Sequence, residues 1–147
     1  GLFTPRVSPD GKWVVFTEQG EGSNRKIYIA PFGGGKTAIE QKDWSVLVEG
    51  ATLDRQAYWS PAGGMIVFLS DRDGNRCFWG RRVDMATGKA MGDAFGVMHF
   101  HEVRENLSDM GDPWNVGLSV AAGKLFYAAF EVAGNVWMME RVEEKGQ

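Results

Sequence analysis

The fold is decided by a turn followed by a strand, SPDGKWVVF at residues 8–16, because similar sequences occur twice more in the chain. The second copy is SPAGGMIVF at residues 60–68, and the third, which departs in its turn, is SVAAGKLFY at residues 119–127. Pro and Gly favour the dihedral angles of a turn, and the β-branched and aromatic residues after them favour a strand. These runs are too short for a helix and apolar on both faces, which predicts strands that are covered on both sides.

Each copy lies within a larger repeated pattern, whose period is 52 residues from 8 to 60 and 59 residues from 60 to 119. A strand A is predicted before each turn, at residues 3–7, 55–59 and 114–118. Strand B follows it at residues 13–17, 65–70 and 125–130, and a polar hairpin then leads to strand C at residues 27–29, 77–79 and 136–138. Two repeats continue into a strand D, at residues 45–48 and 95–100. Repeated four-stranded units predict an all-β fold of β-propeller blades.

We therefore expect one propeller-type domain over residues 1–147, with blades at about 1–50, 51–112 and 113–147, the last incomplete. Three blades are too few for a closed ring, because propellers have about 4–8 blades. Either a second copy of this chain completes a six-bladed homodimer, or the chain belongs to a longer parent propeller. The chain begins with Gly1 instead of Met, and we expect a processed or truncated product.

The composition excludes several classes of function. The chain has 16 basic and 19 acidic residues, a net charge of −3, so a nucleic-acid partner is not expected. No apolar run approaches the roughly 20 residues of a membrane-spanning helix, which argues against membrane insertion. Cys77 is the single cysteine, which excludes a disulfide within the chain and is too few for a thiolate metal site. We expect it to be a small buried hydrophobic residue.

The Ser-Pro-Asp-Gly-Lys turn, the aromatic strand B and the Ile27-Tyr28-Ile29 strand C resemble the TolB-type, WD-like propeller repeats. The resemblance covers nearly the whole chain and departs in the third repeat, where Val120-Ala121-Ala122 replaces Pro-Asp-Gly. In bacteria such repeats also occur in the extracytoplasmic halves of some membrane serine/threonine kinases. The resemblance implies a periplasmic or extracytoplasmic module. Family members serve as protein-binding platforms, gating domains of peptidases and sensor modules, so no single function follows.

The sequence predicts a non-catalytic binding or scaffold module with a protein or peptide partner. Arg6 and Arg55 in the A strands, and Arg104 in the long loop after His101, would line the central channel. A carbohydrate or small-ligand site is the alternative, using the arginines with Trp44 and Trp114, which we expect to be exposed.

The other tryptophans recur at strand positions and are predicted to pack between blades. They are Trp13, Trp59, Trp79 and Trp137.

A further alternative is a metal-dependent propeller enzyme that uses the only two histidines, His99 and His101. Residues i and i+2 of a strand point to one face, so both imidazoles could converge on one divalent ion, with Glu102, Asp109 or Asp112 as a further ligand. The simpler interpretation is that His99 packs in strand D and that His101 caps the following loop. We expect no cofactor, because no motif requires one.

Two other motifs are interpreted as turns. GGGKT at residues 33–37 lacks the first glycine of a phosphate loop, since Ala30 stands there, and lacks the helix that should follow. DRDGN at residues 71–75 resembles the start of a calcium loop, but Arg76 and Arg82 occupy the positions of its glycine and its closing acid. The chain has no nucleophile elbow of the Gly-x-Ser-x-Gly type, so no catalytic motif supports an enzyme.

Overall fold

The computed structural model describes residues 1–20, 25–50, 53–101, 105–106, 117–128 and 130–131. Within these ranges the regular structure is β, apart from one 3₁₀ helix at Gln41–Asp43. A search of the same ranges for a helix of the length and apolar character needed to cross a membrane finds none. The prediction of an all-β fold is confirmed.

Two complete four-stranded antiparallel sheets form the first two blades, and in each sheet the strands lie side by side in chain order. The first blade consists of β1 (Leu2–Val7), β2 (Trp13–Gln19), β3 (Arg25–Pro31) and β4 (Ser45–Val48). The second blade consists of β5 (Arg55–Trp59), β6 (Met65–Ser70), β7 (Cys77–Asp84) and β8 (Lys89–Met98). These are the predicted strands A to D.

Strand β8 differs from the predicted strand D, because it starts at Lys89 and ends at Met98. A tight turn joins β7 to β8, so pairing begins at once, with Asp84 opposite Lys89. His99 consequently lies just beyond the strand, and the prediction that it packs within strand D is wrong.

The turns before β2 and β6 are built alike, as predicted. The Ser8 N–H donates to the Trp13 carbonyl at 2.7 Å, and the Ser60 N–H donates to the Met65 carbonyl at 2.8 Å. In both turns the Gly has a positive φ, 71° at Gly11 and 72° at Gly63, a conformation that only glycine adopts without steric cost.

The third unit departs from this pattern. Its described strands pair two by two: β10 (Ser119–Ala121) with β11 (Lys124–Phe126), and β12 (Phe130–Glu131) with β9 (Glu105–Asn106). Residues 119–121, predicted as a turn, form a strand, and the predicted strand B over 125–130 ends at Phe126. No Pro fixes a corner here, and Val120 favours extended backbone, so the chain turns only at Gly123, where φ is 64°. The predicted strand C of this repeat lies outside the described residues.

The B strands are covered on both sides, as predicted, because successive side chains point to opposite faces. Val15 of β2 packs with Ile66 and Phe68 of β6 in a core between the two blades. Val67 and Leu69 face the other way and pack with residues of the third unit, Leu118 and Leu125 among them.

Tryptophans join the first two blades in both directions. The indole N–H of Trp13 donates to the Met85 carbonyl in the second blade at 2.9 Å, and that of Trp59 donates to the Arg6 carbonyl in the first blade at 3.0 Å. Trp79 packs against the same core. The prediction that these three residues pack between blades is confirmed, whereas Trp137 lies outside the described residues.

The prediction that Trp44 is exposed is wrong. Its ring packs edge-on against Phe16, with 4.8 Å between ring centroids, and lies 5.5 Å from Tyr28. These residues cover the face of the first blade that points away from the second blade. The segment 33–37 forms a turn with positive φ at Gly34 and Gly35 and no following α-helix, which agrees with the interpretation of GGGKT as a turn.

Candidate functional site

A pocket of about 360 Å³ lies between the first two blades, beside the ends of the strands that meet the B–C hairpins. Its wall combines one aromatic ring, two hydroxyl groups, one amide and two guanidinium groups. The lining residues are Phe3, Thr4, Thr17, Arg25, Arg55 and Gln56.

Both arginines of this pocket are buried, with 7% of Arg25 and 4% of Arg55 exposed. Burial lowers the pKa of Arg25, yet an arginine side chain remains protonated in a protein. Both residues also interact with other groups of the chain, which holds them in place at the pocket wall. The pocket wall therefore includes two buried arginines, one from each of the two blades.

The backbone beside the pocket is strained at equivalent positions of the two blades. Thr4 has a φ of 50° and Gln56 a φ of 54°, and the two residues are 52 positions apart. Each lies where the pairing of strand A with strand B shifts its register. A positive φ is costly for residues other than glycine, and such strain is often found at binding sites.

The arginines predicted to line a channel are not all brought together. Arg55 lines the pocket, whereas the Arg6 guanidinium lies over the Tyr58 ring, 3.8 Å from its centroid. Arg104 lies outside the described residues, as does Trp114. Sequence reasoning missed Arg25, whose signal was a charged residue just before the apolar strand C.

A second group of functional side chains lies at the outer strands of the second blade. The Nδ1 atom of His99 and the Nε2 atom of His101 are each 3.0 Å from the same carboxylate oxygen of Asp73, Oδ2. The Cys77 sulfur belongs to the same group, in which all four ligand-type atoms lie within 4.8 Å of one another. We call these four residues the histidine cluster.

The cluster is assembled by strand pairing. Cys77 is the first residue of β7, Asp73 lies in the hairpin before it, and the histidines follow β8, whose end pairs with the start of β7. The Phe100 ring between the two histidines is buried and packs edge-on against Phe78 at 5.7 Å. Its position turns both neighbouring imidazoles towards Asp73.

Hydrogen bonds and burial shift the pKa values of Asp73 and Cys77. Burial raises the pKa of Asp73, but hydrogen bonds from His101, the Asn75 amide and His99 outweigh it and hold that pKa below its ordinary value. Burial raises the pKa of the Cys77 thiol. The Phe100 N–H, which donates to the Cys77 sulfur at 3.3 Å, acts in the opposite direction.

The predicted partners of the histidines are different in the structure. Asp73 and Cys77 join them, while the predicted ligands Glu102, Asp109 and Asp112 lie outside the described residues. Cys77 is buried, as predicted, but it is also one of four grouped ligand atoms, which the count of a single cysteine did not suggest.

The acidic residues of the β6–β7 hairpin do not converge as a calcium loop requires. Asp71 accepts a hydrogen bond from the Leu53 amide at 2.7 Å. Arg72 forms an ion pair with the buried Asp54 at 2.9 Å, and Asp73 turns to the histidines. This agrees with the interpretation of DRDGN as a turn.

Comparisons with known proteins support the fold only. No protein-family model matches the chain, and no curated protein sequence matches it significantly. Among solved structures, the chain is similar to a puromycin hydrolase mutant complexed with PGG, with a TM-score of 0.59 and 22% identity over 88% of this chain. The match covers 19% of that protein, so this chain spans about a fifth of its length. The similarity supports propeller-like blades, without distinguishing the TolB type.

Proposed function

We propose that this chain is a non-catalytic binding module of TolB-type propeller blades, whose pocket between the first two blades takes a carboxylate of a peptide or protein partner. One observation carries the proposal: Arg25 and Arg55, from different blades, are both buried and line the same pocket. The Ser-Pro-x-Gly turns of both blades support the TolB-type assignment.

The chemistry of the pocket favours an anion that has two oxygens. A guanidinium carries five N–H donors in a plane, so it can keep partners inside the protein and still donate to a ligand. Arg25 and Arg55 do interact within the chain, which reduces the entropy that they lose when a ligand binds. Charge-assisted, bidentate hydrogen bonds to a carboxylate are among the strongest polar contacts in proteins.

The size and remaining lining of the pocket favour part of a peptide. About 360 Å³ lies near the small end of the roughly 300–1,000 Å³ found for ligand sites. Phe3 offers an apolar surface for the aliphatic part of an acidic side chain, and Thr4 and Gln56 offer hydrogen bonds to the peptide backbone. A carbohydrate site at Trp44 is less well supported, because that ring packs on Phe16 and Tyr28.

A matched set of peptides tests this proposal on the whole chain. The probes are N-acetylated, C-amidated alanine tetrapeptides that carry one glutamate, one glutamine or one lysine, titrated by NMR or calorimetry. We expect only the glutamate peptide to bind, and Arg25→Gln to weaken its binding about tenfold or more, because a hydrogen bond to a charged group contributes about 1.5–3 kcal/mol.

The matched control is Arg82→Gln, which removes the same charge from an exposed position of β7. It should leave binding of the glutamate peptide within about twofold of the unsubstituted chain, since exposed charges are screened by solvent. Equal binding of the glutamate and glutamine peptides would overturn the carboxylate site. An equal loss in Arg25→Gln and Arg82→Gln would also overturn it, because only net charge would then matter.

A further inference from the structure

We propose that the histidine cluster is a zinc site, in which His99 binds through Nδ1, His101 through Nε2, Asp73 through its carboxylate and Cys77 through its sulfur. The four ligand atoms already lie within 4.8 Å of one another. The site is separate from the pocket between the blades, whose lining residues are all different.

The set of donors identifies the ion. Two imidazole nitrogens, one carboxylate oxygen and one thiolate sulfur suit Zn²⁺, which binds N, O and S ligands in tetrahedral sites. Calcium and magnesium prefer oxygen ligands throughout. With Zn–N bonds of about 2.0–2.1 Å and a Zn–S bond of about 2.3 Å, tetrahedral ligands lie about 3.3–3.6 Å apart. Reaching these distances needs movements of about 1 Å, apart for Asp73 Oδ2 and the two imidazole nitrogens and closer for the more distant pairs, which the partly exposed imidazoles can make.

The surroundings of the cluster hold its ligands in place. Phe100 is anchored by ring contacts to Phe78 and to Tyr127, at 5.7 and 5.3 Å. Its N–H donates to the Cys77 sulfur, and such a bond stabilises a thiolate ligand. The Trp79 ring lies edge-on to His99 at 5.3 Å and forms an apolar wall. Groups that orient metal ligands in this way are a usual part of metal sites.

An ordinary hydrogen-bonded aspartate would explain less of this geometry. Both imidazoles approach the same carboxylate oxygen of Asp73, and their ring centroids are only 5.0 Å apart, although the two side chains are 43% and 50% exposed. The convergence also includes the buried Cys77. The exposed side of the histidines lets an ion enter from solvent.

The site is tested by adding zinc chloride alone to the metal-stripped chain. Calorimetry in competition with a chelator measures the affinity. We expect one zinc ion per chain and a rise in melting temperature on its addition. His101→Ala should weaken binding about 100-fold or more, since loss of a group that merely orients a ligand already costs 10–100-fold. Asp73→Asn should also weaken it.

The matched control is Asp93→Asn, which removes a carboxylate from an exposed position of β8 and should leave zinc affinity unchanged. His101 is half exposed, so His101→Ala is expected to fold. Because Cys77 is buried, its role is tested without a substitution: the unsubstituted chain loaded with Co²⁺ should show a thiolate-to-cobalt charge-transfer band. Equal zinc affinity of the unsubstituted chain and His101→Ala would overturn the site, and absence of the band would overturn the role of Cys77.

Discussion

The first and second blades are built from one chain pattern but carry different chemistry at their hairpin ends. Strand C begins with Arg25 in the first blade and with Cys77 in the second, 52 residues later. Both residues are buried, but Arg25 lines the pocket and Cys77 joins the histidine cluster. The turn and strand B are shared by the two blades, whereas the first residue of strand C differs and belongs to a different group of side chains in each blade.

The two blades also differ in what covers their equivalent faces. Phe16 and Phe68 are 52 residues apart and point the same way along the array. The first blade covers Phe68, which is fully buried. Phe16 is covered instead by Phe32, Ile39 and Trp44 from the connection within its own blade. That connection packs on the face of the first blade that points away from the second blade.

The largest expected effect compares these two phenylalanines. Phe68→Ala should lower the free energy of unfolding by about 3–5 kcal/mol, because it leaves a cavity in the middle of the core. Phe16→Ala should lower the free energy of unfolding by less, since Trp44 is only partly buried and can move into the space. Urea denaturation of both variants measures the difference. An equal or larger loss for Phe16→Ala would mean that the cluster around Phe16 is packed as rigidly as the contact between blades.

How far the sequence predicts this molecule depends on how local each feature is. The turns at Ser8 and Ser60 and strands β2 and β6 are determined by Pro, Gly and β-branched residues within a few positions of one another, and their prediction is confirmed. The prediction of the third turn was wrong because the same reasoning was extended to Val120-Ala121-Ala122, which lacks Pro. The prediction for Trp44 was wrong because its burial depends on how the connection after strand C folds back onto Phe16 and Tyr28.

Sites made by distant residues were predicted only in part. The structure does bring His99 and His101 together, both 3.0 Å from Asp73, but they lie after the end of β8 and not within a strand, as the alternation argument required. Their partners were sought in the following loop, although antiparallel pairing places the end of strand D beside the start of strand C, where Cys77 and Asp73 lie. The meeting of Arg25 with Arg55 requires knowing how two blades pack, which no local pattern encodes.

A substitution at the contact between the blades should have a smaller effect on stability and should affect the two sites differently. The pocket spans both blades, while the histidine cluster belongs to the second blade and the segment after it. Gly88 has a φ of 68°, and a Cβ added there would overlap the Trp13 ring of the first blade. Gly88→Ala should cost about 1–3 kcal/mol of stability through overpacking. It should also weaken glutamate-peptide binding while leaving zinc affinity unchanged, as calorimetry with each probe would measure.

Gly92→Ala is the control for Gly88→Ala, because it measures the cost of placing alanine at a positive φ without a steric overlap. Its φ is 63°, and a Cβ added at Gly92 would have no heavy atom within 4 Å, so only the cost of a left-handed residue, about 1–2 kcal/mol, applies. We expect both ligands to bind normally to Gly92→Ala. If Gly88→Ala weakened zinc binding as much as peptide binding, the two sites would not be independent.

The smallest effect concerns the turns, which differ by one carboxylate: Asp10 in the first and Ala62 in the second. The Ser8 hydroxyl donates to Asp10 at 2.6 Å and the Lys12 amide at 3.1 Å. These hydrogen bonds, that from Ser8 first, lower the pKa of Asp10. A carboxylate with a lowered pKa stabilises the fold above its unfolded pKa of about 3.9, and this contribution is lost as pH falls through the folded value.

Asp10→Ala should therefore lower the melting temperature slightly at about pH 7 and by less at about pH 3. Ala62→Asp should have the opposite effect, because the turn at Ser60 has the same backbone hydrogen bonds and can position the new carboxylate beside the Ser60 hydroxyl. Melting curves of both variants and the unsubstituted chain at the two pH values measure this. If Asp10→Ala lowered the melting temperature as much at the lower pH, the ionised carboxylate would not be the cause. The two turns would then differ in packing instead of charge.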